Sequence, residues 1–182
     1  AGQFVTITVT ESSREKKEEK ESESHTRQVV VKTLIGEQGV RYREWVRNNL
    51  KSVDTLTGGR VGYLHLPDMS THGIAEFHRG YLTQVDREGL IVDVRYNAGG
   101  MVSPLILEKL SHRHLGYDVP RWGTPESYPY HTMRGHLIVI ANQFTGSDGD
   151  MFTASFRQLQ LGPLIGKRTW GGVIGIDGRY QL

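Results

Sequence analysis

Beyond Gly58-Gly59, short apolar runs of strand character alternate with segments whose apolar residues recur every three or four positions. Residues 61–66 (VGYLHL), 90–95 (LIVDVR) and 137–141 (LIVIA) read as strands, and Pro163 opens another at 163–166. Between them, Ile74, Phe77, Tyr81 and Val85 give residues 74–85 one apolar helical face. Val102, Leu105, Ile106 and Leu110 do the same for 102–110, and Phe152, Phe156 and Leu159 for 152–159. Strands separated by helices of that length pair in parallel through helical crossovers. The expected fold is therefore α/β, built from βαβ units with a mainly parallel sheet.

The first third of the chain follows another pattern. Residues 4–9 (FVTITV) alternate with period two, and 28–32 (QVVVK) are β-branched, so both read as strands. Residues 11–27, the stretch between these two strands, hold six acids and five bases with no apolar residue. Such a stretch buries too little surface to offset its ordering entropy and reads as a solvated loop. Residues 40–50 read as a helix with Val40, Trp45 and Leu50 toward a core. Two strands do not make a stable sheet, so residues 1–34 look like the closing strands of a β-rich module. A linking helix over 35–59 and a core over 60–182 follow.

Composition excludes several chemistries. With no cysteine there is no disulfide, thiolate metal site or thiol nucleophile. Twenty-two Lys and Arg against 20 Asp and Glu give a net charge of +2, too balanced for a dedicated nucleic-acid binder. No apolar run approaches the roughly 20 residues of a membrane span.

In open parallel sheets, sites form at the carboxyl ends of strands. Two turns there carry chemistry. Arg95-Tyr96-Asn97-Ala98-Gly99-Gly100 joins a strand to a helix, and its paired glycines either meet a positive φ or let backbone N–H groups approach a ligand. It matches neither phosphate-loop pattern. Asn142 to Asp150 (NQFTGSDGD) follows the most apolar strand. Ser147 there is either an exposed nucleophile at a strand-to-helix junction or an N-cap, with Asp148 and Asp150 complementing the helix dipole. If the two strands are neighbours, the Gly100 and Asp148 N–H groups converge beside Ser147, as acyl transfer requires. A base is not evident. Of the eight histidines, His72 is the best placed by sequence, His65 reads as a core residue, and His112-Arg113-His114 lacks further metal ligands.

With these turns in hand, the sequence resembles the tricorn group of the tail-specific, C-terminal-processing serine peptidases. The matching stretches are GRVGYLHLPDM (59–69), GLIVDVRYNAGGMVSPLILEKL (89–110), GYDVPRWGT (116–124), NQFTGSDGDMFTASF (142–156) and LGPLIGKRTWGGVIGI (161–176). The resemblance implies a tail-specific-protease, crotonase-like core and makes residues 1–34 the end of a PDZ-like domain. It implies that Ser147 is the nucleophile and that Gly100 and Asp148 supply the oxyanion hole, with Ala98 standing where the family has a third glycine. It makes Asp118 a substrate-binding residue that favours basic side chains. The family's base, a histidine assisted by a serine, precedes the PDZ-like domain, and a further glutamate follows the core. None of the eight histidines corresponds to that base, so these residues alone are expected to be inactive.

The implied function is a serine endopeptidase that cleaves oligopeptides or unfolded chain ends through a Ser147 acyl-enzyme. No cofactor or metal, a cytoplasmic ring-like homo-oligomer, and no nucleic-acid or membrane partner complete the expectation. The rivals are a crotonase-like acyl-thioester enzyme and a non-catalytic peptide-binding scaffold.

Overall fold

The computed structural model describes residues 2–10 and 26–175. Most of the charged stretch, 11–25, and the final residues 176–182 lie outside that range. The chain divides into two compact units, residues 1–44 and 45–182.

In the first unit, β1 (Phe4–Thr10) and β2 (Thr26–Lys32) pair antiparallel, in register from Phe4 opposite Lys32 to Thr10 opposite Thr26. Every residue of β1 is exposed. Helix α1 (Gln38–Thr57) carries the chain onward and is longer than the 40–50 span its apolar residues predict. The helix runs on past its apolar middle on both sides, and Arg41 and Glu37 add an ion pair at its start.

The second unit is built on a sheet in which β3 (Val61–His65), β4 (Gly89–Asp93), β7 (His136–Ala141) and β8 (Leu164–Gly166) lie in that order, all parallel. This is the expected α/β architecture. Helix α2 (Thr71–Leu82) connects β3 to β4, α3 (Ser103–Ser111) leads toward β7, and α4 (Asp148–Gln158) connects β7 to β8. The core lies between sheet and helices. Leu64, Leu90, Val92, Leu137 and Val139 from the strands meet Phe77, Tyr81, Ile106, Phe152 and Phe156 from the helices. Burying each such side chain contributes about 1.5–3 kcal/mol.

The structure shifts some boundaries. Helix α2 begins at Thr71 because the Ser70 hydroxyl caps it, accepting from the His72 N–H. It ends at Leu82, and Val85, expected within it, is buried beyond its end. Between α3 and β7 lies a hairpin, β5 (Gly116–Asp118) with β6 (Glu126–Tyr128), that strand periodicity did not predict; three residues per strand are too few to show it.

The arrangement has one consequence for the site. β4 and β7 are direct neighbours, with Asp93 opposite Ile140. The turns leaving their carboxyl ends therefore lie side by side.

Candidate active site

The turn after β4 is fixed by buried polar side chains. Asp93, fully buried, accepts from the Tyr63 hydroxyl at 2.8 Å, the Arg95 guanidinium and the Arg95 N–H at 3.0 Å. Burial, reinforced by the Asp93 carboxylate, pushes the Tyr63 hydroxyl pKa up, so it stays a proton donor. Asn97, also fully buried, donates to the Leu66 carbonyl at 2.9 Å and accepts from the Gly99 N–H at 2.8 Å. The chain then runs beside Met69: the Met69 N–H donates to the Gly99 carbonyl, and the Met101 N–H donates to the Met69 carbonyl, both at 2.7 Å. In this parallel bridge between Met69 and Gly100, the flanking peptides bond Met69 and the N–H of Gly100 itself faces the other way.

The turn after β7 is held as firmly. The Thr145 hydroxyl donates to the Val94 carbonyl at 2.7 Å, and the Gly146 N–H donates to the Asn97 carbonyl at 3.0 Å. The Asn142 side-chain carbonyl accepts from both the Tyr96 and Phe144 N–H groups, each at 3.1 Å, clipping the two turns together. On the far side, the Trp170 N–H donates to the Thr145 carbonyl at 2.9 Å.

Ser147 sits at the junction with φ 55° and ψ −121°. A non-glycine residue with positive φ costs about 1–3 kcal/mol and persists only where its surroundings impose it. Ser147 occupies the N-cap position of α4, yet its side chain makes no capping hydrogen bond. That removes the bland reading of this serine as a helix cap. The backbone shape is the sharp strand-to-helix turn that presents a hydroxyl outward.

The two turns meet at this serine. A Cβ on Gly99 would stand 2.5 Å from Ser147 Cβ and 3.1 Å from the Asp148 nitrogen, so only glycine fits, and its φ of +83° agrees. A Cβ on Gly100 would stand 1.9 Å from the Met69 carbonyl oxygen. Among the described residues, neither the Gly100 N–H nor the Asp148 N–H finds an acceptor. The Asp148 N–H also opens α4, where the helix dipole favours negative charge. Its carboxylate turns away to Ser103, accepting from that residue's N–H at 2.9 Å and hydroxyl at 2.6 Å. Asp150 accepts from the Gly171 N–H at 2.8 Å through one oxygen, and its other oxygen is buried without a partner among the described residues. The two carboxylates thus serve separate neighbours and do not face each other as an acid–base pair.

Among the described residues, none of the remaining candidates hydrogen-bonds the serine. His72 pairs with Asp68 at 3.2 Å in the first turn of α2. Burial raises the Asp68 carboxyl pKa, but hydrogen bonds from Ser70, Gly73 and His72 outweigh it and bring the net value down. His65 is buried, with Nε2 2.7 Å from the Arg95 carbonyl and its ring edge-on to Trp45. His114 packs against Tyr117. Among the described residues no hydrogen bond joins a histidine to Ser147, and no group of three His, Asp or Glu could hold a metal ion. Asp118 is exposed at the end of β5, opposite Glu126. With Glu126 it raises the pKa of the Tyr130 hydroxyl. Among the described residues no hydrogen bond or ion pair links it to the serine turn. Sequence reading missed Asn97, Asn142 and Ser103, which set the geometry. Their signal, an Asn just after each strand and a Ser opening a helix, is common to ordinary turns.

The sequence and fold recur in known proteins. Residues 60–182 match the profile of Peptidase family S41. The chain is 52% identical over 160 residues to the tricorn protease of Thermoplasma volcanium, covering 88% of this chain and 16% of that protein. It is 46% identical over 182 residues, all of this chain and 16% of the relative, to tricorn protease homolog 1 of Streptomyces coelicolor. Among solved structures, the crystal structure of the tricorn protease matches with a TM-score of 0.82 at 46% identity, over 88% of this chain and 16% of that one. The chain thus spans under a fifth of the length of these relatives.

Proposed function

Because the chain belongs to peptidase family S41, we propose that it carries the nucleophile and oxyanion hole of a tricorn-like serine endopeptidase. The observation that carries this reading is the pair of unpaired N–H groups, Gly100 and Asp148, flanking an uncapped serine held at φ 55°.

In this reading Ser147 Oγ attacks the scissile carbonyl of a bound peptide, and the carbonyl oxygen becomes negative. The Gly100 and Asp148 N–H groups donate to that oxygen. They are rigid before the substrate arrives, so no reorganisation opposes the step, and each such donor is worth about 3–4 kcal/mol at the barrier. The tetrahedral intermediate collapses, the amine leaves with a proton, and an acyl-Ser147 ester remains for water to hydrolyse. A general base must take the serine proton. No histidine among the described residues bonds Ser147, so we assign that role to a histidine elsewhere in a longer protein.

The same reading extends to features that rest on the resemblance. Asp118 contributes a negative charge that favours basic substrate side chains, acting from an exposed hairpin. Residues 1–34 close a PDZ-like domain. The whole protein degrades oligopeptides or unfolded chain ends as a cytoplasmic, ring-like homo-oligomer. Among the described residues no helix is long and apolar enough to cross a membrane.

A crotonase-like acyl-thioester enzyme would also use two backbone donors, but it has no use for a strained, uncapped serine between them. A non-catalytic scaffold would have no reason to keep both N–H groups unpaired. Hydrolysis of internally quenched peptides by the full-length protein separates the three. The peptidase reading expects turnover that falls at least about 10³-fold in Ser147→Ala. Turnover of peptides that survives this substitution, or thioester turnover alone, overturns it.

A further inference from the structure

Three residues upstream of Gly99 and of Ser147, the residues just before the two proposed oxyanion donors, stands an exposed aromatic. Tyr96 precedes Gly99 in the turn after β4, and Phe144 precedes Ser147 in the turn after β7. Their rings stack nearly parallel, 13° apart with centroids at 5.5 Å, although each residue remains 58% exposed. Trp45 meets Tyr96 edge-on at 6.2 Å and extends the apolar surface.

This arrangement is imposed. Tyr96 has φ 65°, a costly conformation for a bulky residue. Its N–H and that of Phe144 are both held by the Asn142 side-chain carbonyl. One carboxamide therefore sets the two aromatic residues at a common level across the turns. The core does not require either ring, since both lie on its outside. An exposed aromatic pair held by a strained backbone beside a reactive serine has the features of a recognition surface.

We propose that Tyr96 and Phe144 form a platform that receives an aromatic or large aliphatic side chain of the peptide substrate, within a few residues of the scissile bond. Three residues of chain span at most about 10 Å, and an extended peptide advances about 3.3 Å per residue. The platform is thus at most about three substrate positions from the attacked carbonyl. The stacked rings offer flat apolar area at low entropic cost, because each has only two side-chain torsions to fix. Arg95, next to Tyr96 in the chain, is already committed to Asp93 and to the face of Trp45, 5.1 Å from its centroid. An added positive side chain would meet that guanidinium, so the platform selects for apolar rather than basic residues. This inference rests on the peptidase reading and adds the identity of one substrate subsite.

The test uses the full-length protein and pairs of quenched peptides that differ by Phe against Ala at one position, scanned along the three residues on either side of the cleaved bond. The wild type is expected to favour Phe by about tenfold in kcat/KM at one of those positions. Tyr96→Gly removes the ring and suits the positive φ, so it should not unfold the turn. Tyr96→Gly and Phe144→Leu are each expected to bring that ratio toward one, mainly through KM, while Tyr96→Phe restores it. No preference in the wild type, or a ratio unchanged in both Tyr96→Gly and Phe144→Leu, overturns the platform. If Ser147→Ala leaves hydrolysis intact, the peptidase reading itself has failed, and the peptide ratios do not bear on that outcome.

Discussion

The Asp148 carboxylate bonds both the N–H and the hydroxyl of Ser103, at 2.9 and 2.6 Å. The residue whose own N–H opens α4 thereby caps the start of α3, where Val102 offers no side-chain cap. Two helices that begin at neighbouring strand ends are tied at their first turns. The oxyanion donors on either side, Gly100 and Asp148, are held at a fixed separation by that tie.

Ser103→Ala removes the shorter of the two bonds and leaves the carboxylate short of a donor. A hydrogen bond to a charged group is worth about 1.5–3 kcal/mol. The expected result is a stability loss of that order and a fall of about tenfold in kcat, with KM little changed, because the donor matters most at the transition state. Denaturant titration and steady-state kinetics read the two effects separately.

Gly99→Ala places a Cβ 2.5 Å from Ser147 Cβ at a φ of +83°. Neither neighbour is a flexible side-chain end, so the serine turn must move. Peptidase activity is expected to fall at least about 10²-fold. Gly39→Ala, whose Cβ meets nothing within 4 Å, serves as the control and leaves activity unchanged.

Asn142→Ala orphans the Tyr96 and Phe144 N–H groups together. Each unsatisfied, partly buried donor costs about 1–3 kcal/mol. A loss of about 2–4 kcal/mol in urea unfolding is expected, with a reduced preference for apolar peptides. Asn142→Asp retains an acceptor and should recover most of the stability.

Burial holds the His65 ring below its ordinary pKa of about 6.5. Below that ordinary value the unfolded chain takes up the proton first, so between the two pKa values it binds more protons than the folded one. Stability then rises with pH, is complete above about 6.5, and is lost as pH falls through the folded value. Asp68, also depressed, acts in a separate, more acidic window. Thermal unfolding between pH 5 and 7 should show this slope, and His65→Gln should flatten it. A slope that survives the substitution assigns it to another group.

Much of the sheet was legible because β4 and β7 are continuous apolar runs, which is how parallel strands buried on both faces read. The pairing of their turns was also open to inference, once the order of strands made them neighbours. Helix limits were less legible. Ser70 and Asp148 set the starts of α2 and α3 through side-chain bonds, whereas periodicity marks only the buried middle of a helix. The β5–β6 hairpin gave too short a pattern to read. At the site, Ser147 and Gly100 stood out by residue type, but the features that distinguish a nucleophile from a cap, φ 55° and a missing capping bond, exist only in three dimensions. Asn142 and Tyr96 went unnoticed for the same reason: their importance lies in a contact 46 residues apart in sequence.

The central claim is that Ser147 is the nucleophile, and a fluorophosphonate tests it most directly. Full-length protein treated with the reagent, digested and analysed by mass spectrometry is predicted to carry the phosphonyl adduct on the peptide holding Ser147, with activity lost in proportion. Ser147→Ala is predicted to take up none. An adduct on another serine with Ser147 unmodified, or labelling that persists in Ser147→Ala, would contradict the account.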